Sequence, residues 1–196
     1  MRRSPFSGCR VIWGVRSMSN ESEQTVFAVQ AAVMALLEAV EQAARNEHPE
    51  RVQELCSEAQ KTALMLMAGI ILSDGQYSSS EALFVNLLVN SSDKPGGDIG
   101  FLNEYAENWK RAAYEVPGFF KLGVEKDLEN GTRHAPAMLR ELQLIGNNTA
   151  ITDGTLGSVQ NDIVRDYVLR LEEFSMIEGA KRESTRRKVS GGWTAT

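Results

Sequence analysis

Cysteine and histidine are almost missing from this chain, whose 196 residues include 2 Cys and 2 His. Cys9 and Cys56 stand too far apart for a disulfide framework or a zinc knuckle, and such sparing use of Cys fits a reducing compartment. His48 lies beside a proline in a helix break, and His134 near a helix start. Both read as exposed or capping residues, because a catalytic base needs positioned partners that the sequence does not reveal. There is no His-Glu-x-x-His, no Gly-rich phosphate loop with Lys, no Gly-x-Ser-x-Gly and no Cys-x-x-Cys. A non-catalytic protein without a resident cofactor is expected. Long apolar runs are missing as well, and none approaches the roughly 20 residues that span a bilayer. What is present, 42% apolar residues, suffices at this length for one soluble core.

Charge is unevenly spread. Residues 1–17 carry four Arg and no acid, residues 18–178 carry 25 acids against 12 bases, and residues 179–196 carry five bases against Glu183. An acidic body disfavours phosphate backbones, whose binding rests on Lys and Arg, so no nucleic-acid partner is expected. It suits basic partners or cations. The N-terminal segment reads as an upstream extension with Met18 as the true start, or as a targeting peptide rich in Arg and poor in acids. Residues 1–22 and 179–196 are expected to be disordered basic ends flanking a helical domain over 23–178.

That domain contains one phrase twice. The first copy is Ile70-Ile71-Leu72-Ser73-Asp74-Gly75-Gln76-Tyr77-Ser78-Ser79-Ser80-Glu81, and the second is Thr149-Ala150-Ile151-Thr152-Asp153-Gly154-Thr155-Leu156-Gly157-Ser158-Val159-Gln160. Asp-Gly is a turn signal, because Gly adopts positive φ without steric cost and Asp bonds nearby backbone donors. Ser78 followed at three residues by Glu81 fits a capping box, with the hydroxyl and the carboxylate each serving the other's backbone N–H. Gly157 and Gln160 repeat the spacing in a weaker form, since Gly is a tolerated N-cap and Gln can play the Glu role. Tyr77 and Leu156 stand where a staple residue packs onto the new helix. The unit is therefore helix, Asp-Gly turn, capped helix.

These residues resemble the signature of TerB-like domains, named for a tellurite-resistance protein. The resemblance spans about residues 50–178 and departs at Gln160, where an acid is expected, and at Gly157, where Ser is common. It implies an all-α bundle and an interaction or regulatory module of the bacterial cytoplasm, linked to stress response. Phe119-Phe120 through Phe174 is similar to the version that precedes AAA+ ATPases, which implies such an ATPase, or a second copy of the chain, as partner.

A metal reading competes. Asp74-Gly75 with Glu81 reproduces the second half of an EF-hand loop, but Ile70 and Leu72 occupy places that need oxygen ligands. Thr149, Ile151 and Gln160 spoil the second loop likewise. A divalent cation shared between the turns by Asp74, Glu81 and Asp153 remains open. Turn formation and capping account for the same residues, with Asp74, Gly75, Ser78, Glu81, Asp153, Gly154 and Gln160 as structural positions.

Periodicity and breakers predict about seven helices, over 23–46, 50–72, 79–90, 99–115, 117–129, 134–147 and 158–179. The first carries Val26, Val29, Val33, Leu36, Leu37 and Val40 as its apolar stripe. The second turns apolar on most faces after Thr62 and is expected to be central. The last is expected to face inward through Val159, Ile163, Tyr167, Leu171, Phe174 and Ile177. No segment alternates long enough to suggest a sheet.

Overall fold

A computed structural model describes residues 21–45, 48–75, 77–89, 99–152 and 158–190. Among these the chain is all-helical, with no strand. The helices are α1 (Glu21–Ala44), α2 (Val52–Ile71), α3 (Ser79–Val89), α4 (Ile99–Ala112), α5 (Gly118–Asn130), α6 (His134–Ala150) and α7 (Ser158–Ser190), with a 3-10 turn at Pro49–Arg51 leading into α2.

The bundle is organised around α2 and α6. The helix α2 touches α1, α4, α5, α6 and α7, while α6 touches α1, α2, α5 and α7. All six expected stripe residues of α1 are buried. The helix α2 buries Leu55, Cys56, Ala59, Thr62 and Ala63, and then a nearly continuous run from Leu66 to Ile71. Burial on most faces in its second half is what a central helix requires. Phe119 and Phe120 of α5 and Met138, Leu142 and Ile145 of α6 complete the core with no exposed surface.

The two halves can be superposed along the sequence by the separation of Asp74 from Asp153. Every buried residue of α6 then falls on a buried residue of α2: Ala135 on Cys56, Met138 on Ala59, Glu141 on Thr62, Leu142 on Ala63, Ile145 on Leu66, Gly146 on Met67, Thr149 on Ile70 and Ala150 on Ile71. The duplicated phrase thus extends back through the helix that precedes each turn.

Three features depart from the sequence reading. First, α7 does not stop at Gly179 but continues to Ser190. Residues 180–190 include five Lys or Arg together with Ala180 and Glu183, all sound helix formers, and basic groups near a helix C-terminus complement its dipole. Lys181 pairs with Glu178 at 2.7 Å, and a Cβ on Gly179 would meet Leu128 of α5 at an ordinary 3.9 Å. Residues 1–20 and 191–196 lie outside the described residues. Second, α7 keeps the middle of the expected stripe inward, with Tyr167 and Leu171 buried and Ile163 and Phe174 packed against the core, but not its two ends. Val159 and Ile177 are exposed, whereas Gln160, Val164, Tyr167, Val168 and Leu171 are buried. Close packing fixes that face, because Gly146 of α6 leaves room for Val164 at a place where a Cβ would lie 2.7 Å from its methyl carbon. Third, Glu23–Ala44 of α1 has the length and composition of a membrane span, contrary to the expectation that no run would. In this fold 56% of its most apolar window is buried among the other helices.

A second glycine sets the approach of α2 to α4. A Cβ on Gly69 would stand 2.3 Å from Cδ1 of Trp109, well inside van der Waals contact. Trp109 is itself buried and edge-on to Tyr167, with ring centroids 4.9 Å apart, so it has little room to retreat. Gly69→Ala would gain about 1 kcal/mol of helix propensity at an unconstrained site. Here overpacking dominates, and the variant should lose about 1–3 kcal/mol of stability, read as a lower urea midpoint at unchanged slope.

Candidate functional site

The first Asp-Gly turn is built by the end of α2. The Ser73 N–H donates to the Ile70 carbonyl at 3.2 Å, and the Ser73 hydroxyl donates to the same oxygen at 2.8 Å. Gly75 sits at φ +73°, in the left-handed region, and its N–H reaches the Leu72 carbonyl at 3.3 Å. The end of α6 repeats the motif: the Thr152 N–H and hydroxyl both donate to the Thr149 carbonyl, at 3.2 and 2.6 Å. Ser or Thr before Asp-Gly therefore ties off the helix by satisfying a carbonyl that helix geometry leaves open.

Entry into α3 is a closed capping box. The Ser78 N–H donates to Glu81 Oε2 at 2.7 Å, and the Glu81 N–H donates to Ser78 Oγ at 3.1 Å. Glu81 is only 4% exposed. Tyr77 packs against the core, and its phenol ionises above the usual range, first because of burial and then because of the Glu81 charge. Gln160 holds the corresponding place at the start of α7 and is equally buried, and its Oε1 has no hydrogen-bond partner among the described residues. Gly157, whose backbone N–H Gln160 is expected to reach, lies outside the described residues.

Asp74 is exposed while Glu81 is buried, and Asp153 and Gly154 lie outside the described residues. Among the described residues no group of three or more His, Cys, Asp and Glu side chains is placed to hold a metal ion. Asp153, one member of the expected set of Asp74, Glu81 and Asp153, is not among those residues.

Two further carboxylates act at helix starts without a motif that marks both of them. Glu58 of α2 accepts from the Gly118 N–H at 2.8 Å and from the Phe119 N–H at 3.0 Å, so it caps α5 from a distant part of the chain. The small Gly118 permits this, since a Cβ there would stand 3.0 Å from Glu58 Oε2. Asp127 of α5 accepts from the His134 N–H at 2.7 Å, the Ala135 N–H at 2.9 Å and the Thr132 hydroxyl at 2.8 Å, and so caps α6. Only Asp127 had a local signal, standing one helical turn before Asn130-Gly131. His134 serves through its backbone N–H. His48 faces Glu50 at 3.7 Å on the surface.

Beside the Asp127 cap the surface opens into a groove of about 540 Å³ between α5, α6 and α7. Val124, Leu128, Leu139, Val168 and Met176 supply its apolar wall, and Arg140, Gln143 and Glu172 supply polar groups. Met176 is 66% exposed, and Leu169, one helical repeat earlier, is 47% exposed. No family model, curated protein or solved structure matches this chain.

The caps predict an order of costs. Ser78→Ala should remove about 1 kcal/mol, the usual loss of an N-cap. Glu58→Ala should remove about 2 kcal/mol, because it strips two buried N–H groups of a charged acceptor at once. Glu81→Gln should cost less than Ser78→Ala, since an amide oxygen still accepts from the Ser78 N–H. Urea titrations of the three variants check the ranking, and a Glu81→Gln loss far above the others would show a role for that carboxylate beyond capping.

Proposed function

We propose that this chain is a non-catalytic helical interaction module of the TerB-like kind, serving a regulatory role in the bacterial cytoplasm. The observation that carries the reading is the apolar groove between α5, α6 and α7, with the largely exposed Met176 in its wall. Solvent-facing apolar side chains gathered along one groove favour a protein partner over a polar substrate. The titratable groups fit the same reading, because Glu58, Asp127 and Glu81 are engaged at helix N-termini. The resemblance of the duplicated Asp-Gly phrase to TerB-like domains supports a link to stress response, with an AAA+ ATPase or a second copy of the chain as the partner.

Site-specific photocrosslinking in the native cell tests the proposal. A photoreactive residue at Met176 or Leu139 should yield a discrete protein adduct, while the same group at Glu54, an exposed residue of α2 that does not line the groove, should not. An adduct of twice the chain mass identifies self-association, and a heavier one an ATPase-sized partner. Equal labelling from all three positions, or none from the groove, would reject the groove as the interaction surface.

A further inference from the structure

A second cleft, of about 290 Å³, lies against α4 and α7 and is lined by Trp109, Lys110, Tyr114, Ile163, Tyr167 and Arg170 among others. It contains an unusual pair of polar groups. Tyr167 is 2% exposed, and its hydroxyl has no hydrogen-bond partner among the described residues. Arg170, one helical turn further along α7, has a buried Nη1 that is likewise without a partner. Buried polar atoms are ordinarily paired, and two orphans lining one cleft call for a common explanation.

The chemistry of the two groups narrows that explanation. A guanidinium has five N–H donors and cannot accept, and a phenol can donate one. A molecule that satisfies both must therefore bring acceptor oxygens, and a negative charge strengthens the bond to the guanidinium. The other charges of the cleft are already committed: Lys110 pairs with Glu107 at 2.6 Å and Asp166 with Arg165 at 3.2 Å. Glu58 exerts its charge on Tyr167, but both of its oxygens accept from the α5 amides. Arg170 is held by the Tyr114 ring, 4.8 Å from its guanidinium carbon, a stacking contact that orients the cation without using its N–H groups. Trp109, Tyr114 and Ile163 provide flat and apolar wall for the rest of a ligand. The volume is at the small end of ligand sites and suits a body of about one ring.

We propose that the cleft between Trp109, Tyr114, Tyr167 and Arg170 binds a small oxyanion, a carboxylate or phosphate carried on a compact flat body. The Tyr167 hydroxyl and Arg170 Nη1 donate to its oxygens, and the aromatic rings cover its body. The site is separate from the groove between α5, α6 and α7, so it stands or falls independently of the interaction reading.

Titration of the full chain with benzoate and, separately, inorganic phosphate, followed by amide and indole chemical shifts, tests the site. Saturable shifts at the Trp109 indole and along α7 are expected, and the two probes distinguish a carboxylate on a ring from a free phosphate. Arg170→Gln should weaken binding about tenfold or more, the size of a lost charged hydrogen bond. Tyr167→Phe should also weaken binding while leaving Tm unchanged or higher, because it removes a buried hydroxyl that has no internal partner. That combination separates a ligand-directed group from a structural one. Absence of saturable shifts with both probes would overturn the proposal. So would binding that survives both substitutions, or a Tm several degrees lower in Tyr167→Phe.

Discussion

The fold depends on how its helix N-termini are satisfied. The first N–H groups of every helix lack intrahelical partners, and inside a bundle water cannot serve them all. Here carboxylates do so, and two of them reach from another helix. Glu58 ties the start of α5 to the middle of α2, and Asp127 ties the start of α6 to the end of α5. Negative charge at a helix N-terminus also meets the favourable end of the dipole. The result is a chain of attachments running α2 to α5 to α6, which places the two central helices relative to each other. Apolar burial supplies most of the driving force, but it is indifferent to direction. The caps are directional and fix register.

Duplication explains why α2 and α6 share their burial pattern, and divergence explains why the halves are not interchangeable. Where α2 has Met67, α6 has Gly146, and the missing side chain admits Val164 of α7. Where α2 has Thr62, α6 has Glu141, nearly buried and paired with Arg140 at 2.5 Å. Where α3 begins with a buried Glu81, α7 begins with a buried Gln160, an amide in place of the acid. The small residues fall on different contacts in the two halves, Gly69 on Trp109 and Gly146 on Val164, so each copy grips its own neighbour.

Local signals were legible and tertiary ones were not. Breakers and apolar spacing gave the seven helices, the α1 stripe and the central place of α2. The Ser78 and Glu81 spacing gave the box into α3, because both partners lie within one turn. Glu58 could not be read as a cap, since it and Gly118 are far apart in sequence and nothing near Glu58 marks it. The ends of the α7 stripe depart for a related reason: Tyr167 and Leu171 are buried as the spacing predicts, while Val159 and Ile177 are exposed, and the gap at Gly146 on another helix is what admits Val164. Gly179 predicts a stop, yet a single Gly inside a helix costs only about 1 kcal/mol against Ala, which the helix formers beyond it offset. The cleft of Tyr167 and Arg170 had no motif, because it joins residues of α7 to aromatic side chains from the end of α4 and just beyond it.

The continuation of α7 changes what the uneven charge means. Basic residues on a free tail would sample the whole acidic body and act through averaged attraction, screened over about a Debye length. On a helix they occupy fixed places. Lys181, Arg182 and Thr185 line a cleft with Lys121, Glu125 and Glu178, so this part of α7 lies alongside α5. Glu129, at the end of α5, ionises more readily than usual, chiefly through its hydrogen bond from Lys126, with a smaller contribution from Arg182. The acidic and basic parts of the chain are thus already juxtaposed along one pair of helices. A partner that approached this end would meet a set array of both signs, in which complementarity selects orientation more than it adds affinity.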